Sequence, residues 1–178
     1  MMQDRPDFEI DHRLAAMSVH IDRFADIDIR LVNDSRYLWL MLVPALPDIV
    51  EVDDLPPPTA GALFKLAGEL GAWLKAYAKA DKINIAMIGN VVSQMHVHVV
   101  ARHIDDEHWP DPIWGRGAPV PLPDDGLAAR KAALQAERAK REELLASRAT
   151  EREAELQVKA TVHAVDLIAH AAESDTKM

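Results

Sequence analysis

The chain has no cysteine among its 178 residues, which removes disulfides, thiolate metal sites and a cysteine nucleophile, and fits a reducing compartment. It has no apolar run near the roughly 20 residues that a membrane span needs. Residues Met1 to Ile10 are acidic and lack an apolar core segment, so no signal peptide is expected there. Positive charge is also scarce. The 20 Lys and Arg against 29 Asp and Glu leave a net charge of −9, which argues against generic nucleic-acid binding through a basic surface. A small phosphorylated ligand stays compatible with an acidic protein, because a site is local. What is present is a 49% hydrophobic, 28% charged composition that supports one ordinary core and a soluble, cytoplasmic protein.

A second absence divides the chain. From Leu127 to Met178 there is no Gly, no Pro and no aromatic residue, whereas all four tryptophans lie before residue 120. Pro119, Pro121, Pro123 and Gly126 mark the change as a turn-rich linker. The expected organisation is a domain over 8–118 and a helical extension over 127–172. Within the domain, Ile27–Val32 alternates, Asn33-Asp34-Ser35-Arg36 is a turn signal, and Tyr37–Val43 is an apolar run stopped by Pro44. These make a hairpin. Leu63, Ala67, Leu70, Leu74 and Tyr77 then recur at helical spacing. Ile83, Ile85, Met87 and Ile88 give a further strand ending at Gly89-Asn90. Strand, strand, helix, strand, strand predicts an α+β fold, an antiparallel sheet with one main helix, followed by the C-terminal helical extension.

The last strand carries the chemistry. Gln94-Met95-His96-Val97-His98-Val99-Val100 alternates as a half-buried strand does, and its polar members are an amide and two imidazoles. Side chains two apart on a strand share a face about 6.5–7 Å apart. Gln94, His96 and His98 are therefore expected on one surface. A neutral imidazole can attack phosphorus and split one hard displacement into two steps, while a neighbouring imidazolium stabilises charge or protonates the leaving oxygen. A His-x-His pair can also begin a metal site, with His103, His108 or Asp105 completing it. No third ligand has diagnostic spacing, and glutamine is a poor zinc partner, so no metal and no cofactor is assigned.

The same run resembles the histidine triad signature, His-φ-His-φ-His-φ-φ with φ apolar. The resemblance extends over about residues 8–116. Leu31-Val32-Asn33-Asp34 and Leu40-Met41-Leu42-Val43-Pro44 are similar to the family's nucleoside-binding strands. The helix and Lys82-Ile83-Asn84-Ile85 follow in the expected order, and Trp109-Pro110 and Trp114-Gly115 sit where bacterial members carry a tryptophan-rich close. The resemblance implies a nucleotide hydrolase or nucleotidyl transferase in which His96 attacks the α-phosphorus and carries a covalent nucleotidyl group. It implies that His98 contacts the phosphate while its backbone carbonyl holds the other ring nitrogen of His96. It points to Asn33 or Asp34 for the ribose, to Asn90 and Ser93 for phosphate, and to a homodimer whose sheets join. Gln94 departs from the pattern, standing where the first histidine belongs. Glutamine exchanges hydrogen bonds but carries no proton. The alternative is accordingly a nucleotide-binding module with little or no catalysis.

Beyond Leu127 the chain is rich in Ala, Glu, Arg and Leu, all good helix formers. Glu137–Arg141 and Glu155–Lys159 are favourable i,i+4 pairs, and Leu134, Leu145, Leu156 and Leu167 recur every eleven residues. A helix with a thin apolar stripe and no chemistry of its own is expected.

Overall fold

The computed structural model describes residues 8–136 and, beyond them, 138–140, 143, 147, 150–153, 156, 157 and 159. A short helix α1 (His12–Met17) leads into strands β1 (Ser18–Phe24), β2 (Ile27–Val32) and β3 (Leu38–Pro44). Helix α2 (Pro57–Ala78) follows, then β4 (Lys82–Met87) and β5 (Val97–Arg102). All neighbours are antiparallel, in the order β1-β2-β3-β5-β4. The expected α+β sheet and main helix are thus present, and a helical run begins at residue 124. Sequence patterning did not foresee α1 or β1. Ser18–Phe24 is a strand whose polar side chains hide its period, because several of them are used inside the fold.

The β2–β3 hairpin forms as its turn chemistry predicts, with Leu31 opposite Leu40 and Ile27 opposite Pro44. Helix α2 starts earlier than its apolar period, at Pro57, because proline's fixed φ suits a first helical turn and its missing N–H is no loss there. The helix ends at Lys79 in a left-handed conformation (φ 53°). Leu63, Leu66, Ala67, Leu70 and Leu74 are its buried side chains, and it packs on β3, β4 and β5. Burying each of these leucines contributes on the order of 2 kcal/mol. Gly71 lies close on the sheet: a Cβ there would stand 3.1 Å from Ile83 Cγ2 and 3.7 Å from Val99 Cγ1. A side chain there would press on Ile83 of β4, which would have to give by a few tenths of an ångström.

The other face of the sheet gathers Val32, Tyr37, Trp39, Met41, Val43 and Val100, closed by Leu14, Val92 and Ile113. Phe8, Ile10, Met17 and Trp114 pack at its margin. One expectation is corrected here. β5 lies between β3 and β4 with both faces covered, so every residue from Val97 to Arg102 is buried, not every second one. Its polar–apolar alternation marks which cover each side chain meets and does not mark exposure.

The first compact unit runs to Ala132 and a second begins at Ala133. The described positions of the second unit are helical, and Leu156 is exposed there. Leu145 and Leu167 lie outside the described residues, as do Glu137, Arg141 and Glu155 of the two expected ion pairs. None of the described helices is long and apolar enough to cross a membrane.

Candidate functional site

His96 and His98 come together as the spacing predicts, with ring centroids 4.8 Å apart and planes at 84°. Both are buried, at 6% and 4% exposure. Their hydrogen bonds give them opposite tautomers. His96 Nδ1 faces the backbone carbonyl of Gln94 at 2.8 Å. A carbonyl only accepts, so Nδ1 carries the hydrogen and Nε2 keeps its lone pair. His98 Nδ1 accepts the indole N–H of Trp39 at 3.0 Å. Its hydrogen in the neutral ring is therefore on Nε2. One imidazole offers a lone pair and its neighbour offers an N–H.

Burial is also what holds His98 neutral. Desolvation first, and the adjacent His96 second, push its pKa down from 6.5 to about 3. The expected imidazolium at this position is therefore replaced by a neutral hydrogen-bond donor. Trp39 and Trp114 enclose the ring, at centroid distances of 5.1 and 5.6 Å. Sequence reasoning passed over Trp39 as one member of an apolar run. The available signal was its N–H, which needs a partner whenever an indole is buried.

The carbonyl that holds His96 is a second correction. It belongs to Gln94 and not to His98. β5 is paired on both sides at His98, opposite Met41 and Ala86, so its backbone groups serve the sheet. Gln94 precedes the strand, which starts only at Val97, and its carbonyl is free to serve a side chain. The Gln94 side chain likewise does not join the two imidazoles on a common strand face. Its Oε1 accepts from Asp11 N and its Nε2 donates to Glu9 O, both at 2.9 Å.

Asn33 and Asp34, the residues expected at ribose, sit at the turn after β2. Leu38 pairs with Ala101, so the turn holding Asn33 and Asp34 adjoins the far end of β5 from His96. Five residues of strand put on the order of 16 Å between those ends. Asn33 Oδ1 accepts from Leu122 N at 2.9 Å. Asp34 is wholly buried and takes both Nε (2.9 Å) and Nη2 (2.7 Å) of Arg36. Burial works to raise the Asp34 pKa, but Arg36 and nearby backbone N–H groups outweigh it and hold the carboxylate below its usual range. Both side chains are spent on fixing the turn and the segment that follows Gly117. Asn90 and Ser93 are exposed on the loop before His96. Ser93 and Gln94 line a cleft of about 370 Å³ together with Phe8, Glu9, Asp11 and the turn 46–50. That volume falls within the range of small-ligand sites.

A polar cluster that the sequence did not disclose shares the histidine face. His20, Arg30, Met41 and His98 form one row across four strands. Arg30 is buried and donates to Asp28 Oδ2 (2.9 Å), Ser18 Oγ (2.8 Å) and Ser18 O (3.1 Å). Asp28 also meets His20 Nδ1 at 2.5 Å. Asp28 and Arg30 are the polar positions of the alternating Ile27–Val32 run, whereas Ser18 and His20 belong to β1, which the sequence pattern does not disclose. Among the described residues no three His, Asp or Glu side chains gather as a metal site, so His103, His108 and Asp105 do not join the pair.

The HIT domain model matches residues 16–105. A solved histidine triad protein from Sinorhizobium meliloti 1021 is 40% identical, with TM-score 0.68 over 70% of this chain and 93% of its own. One from Marinobacter aquaeolei VT8 is 34% identical, with TM-score 0.71 over 72% and 94%. One from Bradyrhizobium japonicum is 34% identical, with TM-score 0.69 over 73% and 97%. No curated protein matches the chain. All five strands, α2 and the paired imidazoles of His96 and His98 fall inside the matched span, and the chain belongs to the histidine triad family.

Proposed function

We propose that this chain is a nucleotide hydrolase or nucleotidyl transferase acting at the α-phosphorus of a nucleoside phosphate, through a phosphoramidate on His96. What carries the reading is the complementary pair of tautomers. His96 Nε2 attacks, the bond from phosphorus to the leaving group breaks, and its electron pair departs with that group. The ring becomes cationic, and the Gln94 carbonyl on Nδ1–H stabilises that charge. His98 Nε2–H donates to a phosphoryl oxygen. Water then attacks phosphorus, the N–P pair returns to Nε2, and the proton of water passes to solvent.

Neither His98, held neutral, nor Gln94 supplies a proton to the departing group. Leaving groups that depart without one, such as the phosphate chain of a dinucleoside polyphosphate, should turn over best. The test is to trap the nucleotidyl adduct and locate it by mass spectrometry. His96→Ala should abolish turnover while leaving nucleotide binding largely intact, and normal turnover by that variant would falsify the assignment. The burial of both imidazoles favours a second reading, a nucleotide-binding module with little catalysis. Calorimetric binding with no mononucleotide released over long incubation would select it.

A further inference from the structure

We propose that Gln94 is a positioning residue whose side-chain amide clasps the N-terminal strap, residues 8–11, onto the loop that delivers His96. The inference rests on the reading of His96 as nucleophile. Its physical basis is a junction of three segments at one residue. The amide pairs with the strap as a neighbouring strand would, accepting from Asp11 N and donating to Glu9 O. Both of its polar atoms are occupied by main chain, which leaves it a poor candidate for phosphate.

The peptide unit that follows Gln94 is fixed at both ends. Its carbonyl holds His96 Nδ1 at 2.8 Å, and its N–H, on Met95, donates to Ile49 O at 2.9 Å. Rotating that peptide plane would move the acceptor that sets the His96 tautomer. The clasp restrains the plane from its third side, through the Gln94 side chain. A separate tie supports it: Arg13 Nη1 donates to Val91 O at 2.8 Å, and Arg13 also grips Asp11 at 2.7 Å. The strap's Phe8 and Ile10 pack on the cluster containing Trp39, the partner of His98. Phe8, Glu9 and Asp11 meanwhile form one wall of the 370 Å³ cleft beside Ser93. At the first triad place, Gln94 thus joins the strap, the cleft wall and the loop that carries the nucleophile.

The experiment compares Gln94→Met, Gln94→His, Arg13→Met and the double variant Gln94→Met/Arg13→Met in the full chain. Two neutral amide bonds correspond to about tenfold to a hundredfold in a local opening equilibrium. Amide exchange at Asp11 should accelerate by that factor in Gln94→Met while sheet amides such as Val99 keep their rates. Imidazole ¹⁵N shifts should pass from a single Nδ1–H tautomer of His96 to a mixture. Turnover should fall in both single variants, with the double no worse than the poorer single, because the two ties hold the same strap. Gln94→His should not restore it. A direct phosphate contact gives the opposite pattern: slow turnover with unchanged Asp11 exchange, a silent Arg13→Met and recovery in Gln94→His. That result overturns the proposal. If the unaltered protein turns nothing over, the catalytic reading fails, and Asp11 exchange with the His96 tautomer still decides the clasp.

Discussion

Trp39→Phe isolates the device that sets His98. The substitution keeps an aromatic ring in the cluster but deletes the indole N–H that His98 Nδ1 accepts at 3.0 Å. A buried acceptor left without its donor costs about 1–3 kcal/mol. The space vacated by the larger ring adds on the order of 1 kcal/mol. A total of roughly 2–4 kcal/mol is tolerable for a domain of ordinary stability, so the variant should still fold. The functional loss follows from the tautomer. Without Trp39 the His98 hydrogen divides between its two nitrogens, and the Nε2–H offered to phosphate is present only part of the time. Losing one preorganised donor outright costs about 10²–10³ in rate, so a partial loss should cost about 10–100-fold in kcat. The assay pairs ¹⁵N imidazole shifts with steady-state hydrolysis of a dinucleoside polyphosphate, using His98→Ala as the limit. Finding Nδ1 of His98 protonated in the unaltered protein, or a full rate in Trp39→Phe, refutes the reasoning.

Acid should weaken this fold through the same ring. His98 in the folded chain takes a proton only near pH 3, whereas the unfolded chain takes it near 6.5. Its contribution is complete above about pH 6.5 and declines as pH falls towards 3, by up to roughly 5 kcal/mol in all. Urea titrations at pH 7.5 and 4.5 should reveal a loss that His98→Asn reduces; equal losses in both proteins count against the buried neutral ring. The homodimer that the family resemblance implies is predicted to form at the β4 edge, where Ile85 and Met87 stand 46% and 47% exposed on the last strand of the sheet. Ile85→Lys should convert a dimer measured by light scattering into a monomer with its sheet intact, and an unchanged mass would move the interface elsewhere.

Much of the fold was legible because its signals are local. The Asn33–Arg36 turn between two apolar runs, the recurrence of Leu63, Leu70 and Leu74, and the stop at Gly89-Asn90 each state a backbone preference within a few residues. β1 was not legible, since Ser18 and His20 look like solvent-facing residues until Arg30 and Asp28 arrive from β2. Asn33 and Asp34 carry two readings in the sequence for a related reason. Asn33 and Asp34 are as well suited to pinning a turn and a linker as to binding sugar, and only the register told which end of the sheet they occupy.

The strand run from Gln94 to Val100 draws the same division. Two imidazoles two residues apart on a strand must share a face, so the sequence by itself determined that His96 and His98 meet. It also determined the family, through the order of elements around them. Which nitrogen of each ring carries the hydrogen was decided by tertiary structure, through an indole 59 positions earlier in the chain and by a carbonyl freed because the strand starts late. The place of Gln94 was decided in the same way, by a strap 83 and 85 positions earlier in the chain. Local pattern fixes direction along a strand, but a hydrogen-bond partner is chosen by whatever segment the fold brings alongside.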